Sequence, residues 1–144
     1  MVALIIALLE HPEQHAQVKS CLERAGHEVL FVENFARAKA VLKQHMFDLI
    51  MSDVHLENGG TVFDFLKWVK TEPSLQAVPF VLFSLEPSKL AKYLADGVQT
   101  TARAFGAAKY ISMDKFDAEI LAQEVADLLP PRIAAVPALT TEGD

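Results

Sequence analysis

Five apolar runs punctuate the chain: VALIIALL (2–9), EVLFV (28–32), FDLIMS (47–52), PFVLFS (79–84) and AKYIS (108–112). Most are continuous rather than alternating. A strand with one wet face alternates polar and apolar residues, whereas a strand covered on both faces has no such need. Each run is followed by a segment of helical period. Pro12 opens the first, Val18, Cys21, Leu22 and Ala25 fall on one face, and Gly26 ends it. Asn34 is placed to cap the second, which carries Ala38, Val41 and Leu42. Thr61 and Asp64 have capping-box spacing ahead of Val62, Phe65, Leu66 and Val69, and Pro73 marks that helix's end. The fourth segment, from Pro87 to Phe105, contains Gly97 and reads as one helix with a weak point or as two short ones. The fifth is expected to begin near Asp114 and to bury Ala118, Leu121, Ala122, Val125 and Leu128.

A strand and a helix repeated five times with short links imply an α/β fold. Right-handed crossovers then give a five-stranded parallel sheet with helices on both faces. The common order for five such units is 2-1-3-4-5. The 144 residues suit one domain, expected over 1–129. The tail 130–144, with three prolines and no period, is expected to be a flexible C-terminal extension.

Charge and cysteine content narrow the function classes. The net charge is −6 without a basic cluster, so direct nucleic-acid binding is not expected. Cys21 stands alone, which excludes an internal disulfide and a cysteine-based zinc cluster. The apolar N-terminus is too short to span a bilayer and has no signal-peptide flanks. A cytoplasmic protein without membrane association is expected.

In such sheets ligands bind beyond the carboxyl ends of the strands, near the point where strand order reverses. Glu10 and His11 follow the first strand; Asp53, Val54 and His55 follow the third. Ser84 ends the fourth, and Ser112 and Met113 end the fifth. Asp53 would therefore stand mid-rim, with Glu10 on one side and Ser84 on the other. Two neighbouring carboxylates repel, and a hard divalent cation removes the conflict. A carboxylate also serves as nucleophile toward a phosphoryl group, a transfer that depends on positioning and charge neutralisation.

Other readings of the same residues are weaker. Three histidines, at 11, 15 and 55, lack ligand spacing for a transition metal. DVHLENG approximates a cobalamin-binding motif, but its glycine is one place late and it follows the wrong strand. LEHPEQ is not a flavin phosphate loop. Trp68 and Phe63 lie off the inner stripe of the third helix, where peripheral packing is favoured over a contact surface.

FDLIMSDVHL around Asp53, VPFVLFS ending in Ser84 and GAAKYIS together resemble the receiver domain of two-component response regulators, over residues 1 to about 129. That resemblance implies a flavodoxin-like fold and a phosphoacceptor signalling domain rather than an enzyme. By it, Asp53 is the phosphoacceptor. Glu10, Asp53 and the backbone carbonyl of His55 are the Mg²⁺ ligands, Ser84 is the switch hydroxyl and Tyr110 the switch aromatic. A histidine kinase or phosphotransfer protein would be the donor. A downstream protein, or self-association, would use the face formed by helix 4, strand 5 and helix 5. With no output domain following, a single-domain response regulator is expected; the alternative is a receiver-like docking module that works without phosphorylation.

The departures from the family pattern are specific. Leu9 stands where a first acidic residue is usual, so weaker Mg²⁺ binding is expected. Met113 and Asp114 replace the lysine and proline after strand 5, and Glu57 replaces a proline. The stretch between Ser84 and Gly106 is several residues longer than usual. Lys115, two residues past the lysine position, is a candidate substitute; Lys109, inside the strand, is a poorer one.

Overall fold

The structure, a computed structural model, describes residues 3–9, 11–54, 61–85 and 89–129. Strands and helices alternate: β1 (Leu4–Leu8), α1 (Pro12–Arg24), β2 (Glu28–Phe31), α2 (Phe35–Gln44), β3 (Leu49–Asp53), α3 (Val62–Thr71), β4 (Phe80–Leu85), α4 (Lys89–Ala104), β5 (Lys109–Met113) and α5 (Ala118–Leu128). The sheet order is β2-β1-β3-β4-β5 with every pairing parallel, as expected. In register, Ile5 pairs with both Val29 and Leu49, Ile50 with Phe80, and Leu82 with Tyr110.

Continuous apolar character and double coverage go together. Every residue of β3 and β4 is buried, and these strands lie inside the sheet. Strand β2, at an edge, alternates between exposed and half-buried. The pleat sends Ile6, Leu8, Ile50, Phe80 and Leu82 into one core with α2 and α3. It sends Ile5, Ala7, Leu49, Met51, Val81, Phe83, Ile111 and Met113 into another with α1 and α5.

The helix signals hold with adjustments. The Asn34 side chain accepts from Arg37 N–H at 2.8 Å, and Thr61 Oγ1 accepts from Asp64 N–H at 3.2 Å. Ala25, expected on the buried face of α1, is exposed at the C-cap. Gly26 follows with φ +93, a conformation that L side chains rarely adopt. The fourth helix is a single element over Lys89–Ala104 that runs through Gly97, where an added Cβ would meet nothing within 4 Å. Pro87 and the tail 130–144 lie outside the described residues. The fifth helix starts at Ala118, later than expected. Strand β5 continues through Met113, which pairs with Leu85. Asp117, not Asp114, caps α5 by accepting from Ile120 N–H at 3.1 Å.

Two features fix how α3 and α4 join the sheet. Lys70 Nζ donates to the carbonyls of Gln76 at 3.1 Å and Val78 at 3.0 Å, tying α3 to the approach of β4. Burial lowers the pKa of this ammonium. Gly106, with φ +104, lies so close that an added Cβ would stand 3.1 Å from Lys70 Cγ. Among the described side chains of α4 only Ala102 is buried, while Tyr93 is 84% exposed. Trp68 is half-buried, stacks with Phe65 and carries the Lys39 ammonium 5.4 Å above its ring; Phe63 packs edge-on to Phe105. Both aromatics therefore take part in peripheral packing. No helix among the described residues is long and apolar enough to cross a membrane.

Candidate functional site at the carboxyl edge of the sheet

Among the described residues four polar side chains are buried: Gln14, Ser52, Asp53 and Ser84. All four lie at the carboxyl edge of the sheet or on the α1 turn that packs over it. Buried polar groups cost stability unless satisfied, so their concentration at one edge of an otherwise apolar core makes that edge the candidate site.

Asp53 is the last residue of β3, the middle strand, and is 6% exposed. It lies level with Phe83 of β4. The Ser52 hydroxyl donates to the Asp53 carbonyl at 3.0 Å, which holds the strand end in place. Ser84, 4% exposed, is one residue farther out on β4 and pairs with Ser112 of β5. Tyr110 pairs with Leu82, two positions below Ser112 and on the same side of the strand, half-buried against the core that contains α2 and α3. The sheet thus brings Asp53 and Ser84 onto adjacent strands, with Tyr110 farther back on β5. Glu10, His55 and Glu57 lie outside the described residues.

The substituted positions have definite environments. Leu9 is 5% exposed within the core that contains α1 and α5, and it offers no ligand atom on its side chain. His15 stacks on Phe31 at 4.4 Å, and its Nε2 donates to the Leu9 carbonyl at 3.2 Å. His11 lies 3.7 Å from Glu13. Met113 is 6% exposed in the same core as Leu9, so a thioether occupies the place of the family's lysine. Lys109 starts β5 and pairs with Glu124 of α5, at the opposite end of the strand from Met113. Lys115 is exposed in the β5–α5 loop. Next to it, Asp114 pairs with Lys92 of α4 at 2.8 Å.

Besides Ser52, the sequence reading missed Gln14. Its Nε2 donates to the carbonyl of Leu85, the last residue of β4, at 3.5 Å, while its Oε1 is buried without a partner among the described residues. A signal was present: Gln14 falls on the same helical stripe as Val18, Cys21 and Leu22, where a polar side chain is out of pattern. Cys21 belongs to the packing. Burial pushes its thiol pKa up, and its Sγ donates to the Ala118 carbonyl at 3.1 Å.

A cation fits the donor chemistry only in part. Asp53 supplies a hard carboxylate oxygen of the type Mg²⁺ prefers, and Leu9 leaves Glu10 as the acidic residue available after β1.

No family model matches the sequence. The sensor histidine kinase AruS of Pseudomonas aeruginosa is 31% identical over 102 residues, which is 67% of this chain but 10% of that protein. The signal receiver domain of a signal transduction histidine kinase from Syntrophus aciditrophicus superposes with a TM-score of 0.73 at 25% identity, covering 99% of both chains. The chemotaxis response regulator CheY4 of Vibrio cholerae superposes with a TM-score of 0.74 at 23% identity, covering 90% of this chain and all of that one. A third neighbour, the receiver domain of a Pseudomonas aeruginosa sensor histidine kinase with magnesium coordinated in its active-site cleft, has a TM-score of 0.73 at 14% identity. It covers 89% of this chain and 98% of its own.

Proposed function

We propose, for a chain whose fold and structural neighbours are those of response-regulator receiver domains, that it accepts a phosphoryl group on Asp53 and passes the signal through a protein partner. One observation carries this reading. Asp53 is a buried carboxylate at the outer end of the middle strand, with the Ser84 hydroxyl on the adjacent strand. Attack by an Asp53 carboxylate oxygen forms a P–O bond as the donor's P–N bond breaks. The leaving imidazole of a histidine kinase or phosphotransfer protein takes up a proton. Ser84 donates a hydrogen bond to a phosphoryl oxygen, and Tyr110 follows Ser84 on the same side of the sheet. A Mg²⁺ held by Glu10, Asp53 and the His55 carbonyl would neutralise charge on the transferring group. With Leu9 in place of a second acid, its affinity is lower than the family's. Lys115, on a surface loop, would have to reach inward to serve as the missing lysine.

The face for the downstream protein, or for self-association, is α4, β5 and α5. There Tyr93 and Leu94 are exposed, and Lys92 pairs with Asp114 across the elements. New negative charge at Asp53 would shift this face between arrangements. Residues 1–129 form the signalling unit in this reading, acting in the cytoplasm.

A second reading is a docking module that works without phosphorylation. Leu9 and Met113, both sealed in apolar packing, favour it. Intact mass after incubation with phosphoramidate or acetyl phosphate, with and without Mg²⁺, separates the two. The first reading expects a Mg²⁺-dependent gain of one phosphoryl group, absent in Asp53→Ala. No gain from these donors or from histidine-phosphorylated protein would sustain the second.

A further inference from the structure

Of the buried polar side chains at this edge, the phosphoacceptor scheme uses neither Ser52, which is bonded to the Asp53 carbonyl, nor Gln14 on α1. The Gln14 carboxamide has two N–H donors and one acceptor oxygen. A single bond to the Leu85 carbonyl, at 3.5 Å, leaves one N–H and Oε1 unused among the described residues. The amide orientation is fixed by the partner, since a carbonyl can only accept. A side chain held this weakly in a buried place is ready for a second partner.

The sheet register says where that partner would be. Asp53 is level with Phe83, and Leu85 lies two residues farther out on β4, on the same side of the sheet. Two residues of strand amount to roughly 7 Å. Asp53 is the last residue of β3, so a phosphoryl group added there would occupy space beyond the strand end, on the side where Leu85 and the amide bonded to it lie. Opposite Leu85 in β5 is Met113, buried and without a hydrogen to donate. The corner between β4 and β5 therefore offers a carboxamide from α1 where Met113 offers only a thioether.

Resting on the phosphoacceptor reading, we infer that Gln14 donates a hydrogen bond from Nε2 to a phosphoryl oxygen during transfer to Asp53, taking over the contact that the residue at 113 cannot make. The second N–H of the amide can do so without losing the bond to Leu85. The donor is neutral, so it orients and polarises the phosphoryl group without cancelling its charge. No covalent step involves Gln14: the P–N bond of the donor breaks, the P–O bond to Asp53 forms, and the nitrogen leaves as ammonia or imidazole with its proton.

The test is the rate of phosphoryl uptake from phosphoramidate in Mg²⁺, followed by intact mass. It compares wild type, Gln14→Met, Gln14→Glu and the double variant Gln14→Met/Met113→Lys, with the thermal midpoint of each as a check on folding. Loss of one aligned donor should slow the rate at saturating phosphoramidate by about tenfold to a hundredfold. Half-saturation should barely move, the midpoint should be kept or raised in Gln14→Met, and the strand-5 lysine should recover the rate. Gln14→Glu, which exchanges a donor for a charged acceptor, should be slower still. Wild-type rates in folded Gln14→Met or Gln14→Glu would overturn the inference while leaving Asp53 as acceptor. A wild-type protein that gains no phosphoryl group would overturn the phosphoacceptor reading and this inference with it.

Discussion

The Gly106–Lys70 contact predicts a measurable coupling between two segments far apart in sequence. Gly26 and Gly106 share a positive φ, +93 and +104, but differ in surroundings. A Cβ at Gly26 meets nothing within 4 Å, whereas one at Gly106 meets Lys70 Cγ at 3.1 Å, Cδ at 3.3 Å and Cε at 3.4 Å. Gly26→Ala should therefore cost only the backbone strain, about 1–2 kcal/mol. Gly106→Ala pays the same strain and also displaces the Lys70 stem. That stem carries the ammonium bonded to the carbonyls of Gln76 and Val78. Loosening those two bonds should add about 1–2 kcal/mol. The expected ordering in urea unfolding is Gly106→Ala at about 2–4 kcal/mol, clearly above Gly26→Ala. In a Lys70→Met background the bonds are already gone and the methionine side chain moves easily. There Gly106→Ala should fall to the cost of Gly26→Ala, a coupling of about 1–2 kcal/mol in the double-mutant cycle. Equal costs for the two glycines, or an unchanged cost of Gly106→Ala without Lys70, would refute the reasoning.

Asn34→Ala removes the acceptor for Arg37 N–H and should cost about 1 kcal/mol, read as a lower thermal midpoint, whereas Asn34→Asp should be nearly neutral. The Cys21 thiol is raised in the folded state, so the unfolded chain ionises first as pH climbs past about 8.5. Stability from this group is complete below that pH and falls above it. Urea midpoints measured at neutral and alkaline pH should drop less in Cys21→Ala than in wild type; parallel drops would contradict the assignment. Lys92→Ala should change stability by less than about 1 kcal/mol, because its pair with Asp114 is largely exposed, and a chemical-denaturation curve would show it.

Asp53 stood out in the sequence because a carboxylate closes a continuous apolar run, and the structure has it buried at the end of the middle strand. Ser84 followed from the same rule of strand ends. Gln14 escaped because helical periodicity is counted in apolar residues, and one polar side chain on an apolar stripe looks like noise until its burial is seen. The start of α5 was misplaced for a different reason. Asp114 and Asp117 each have a cap's chemistry, and only the pairing of Met113 with Leu85, a contact across the sheet, keeps the chain extended past Asp114. Gly97 left one weakened helix or two short ones open because glycine costs a helix about 1 kcal/mol, and the helix carries that cost and continues as one. Trp68 stood off the inner stripe and still packs, because lysines of the neighbouring helix cover its ring.

Among the described side chains of helix α4, Ala102 is buried in the core and Val98 packs half-buried against it. The backbone hydrogen bonds of α4 are protected mainly by the helix itself. Opening it would expose little apolar area, so amide hydrogens along Tyr93–Thr100 should exchange with solvent by local fraying, through openings far smaller than global unfolding. Amides of β3 and β4 should exchange only when the whole domain opens. The segment expected to open most readily then lies on the face proposed for the partner.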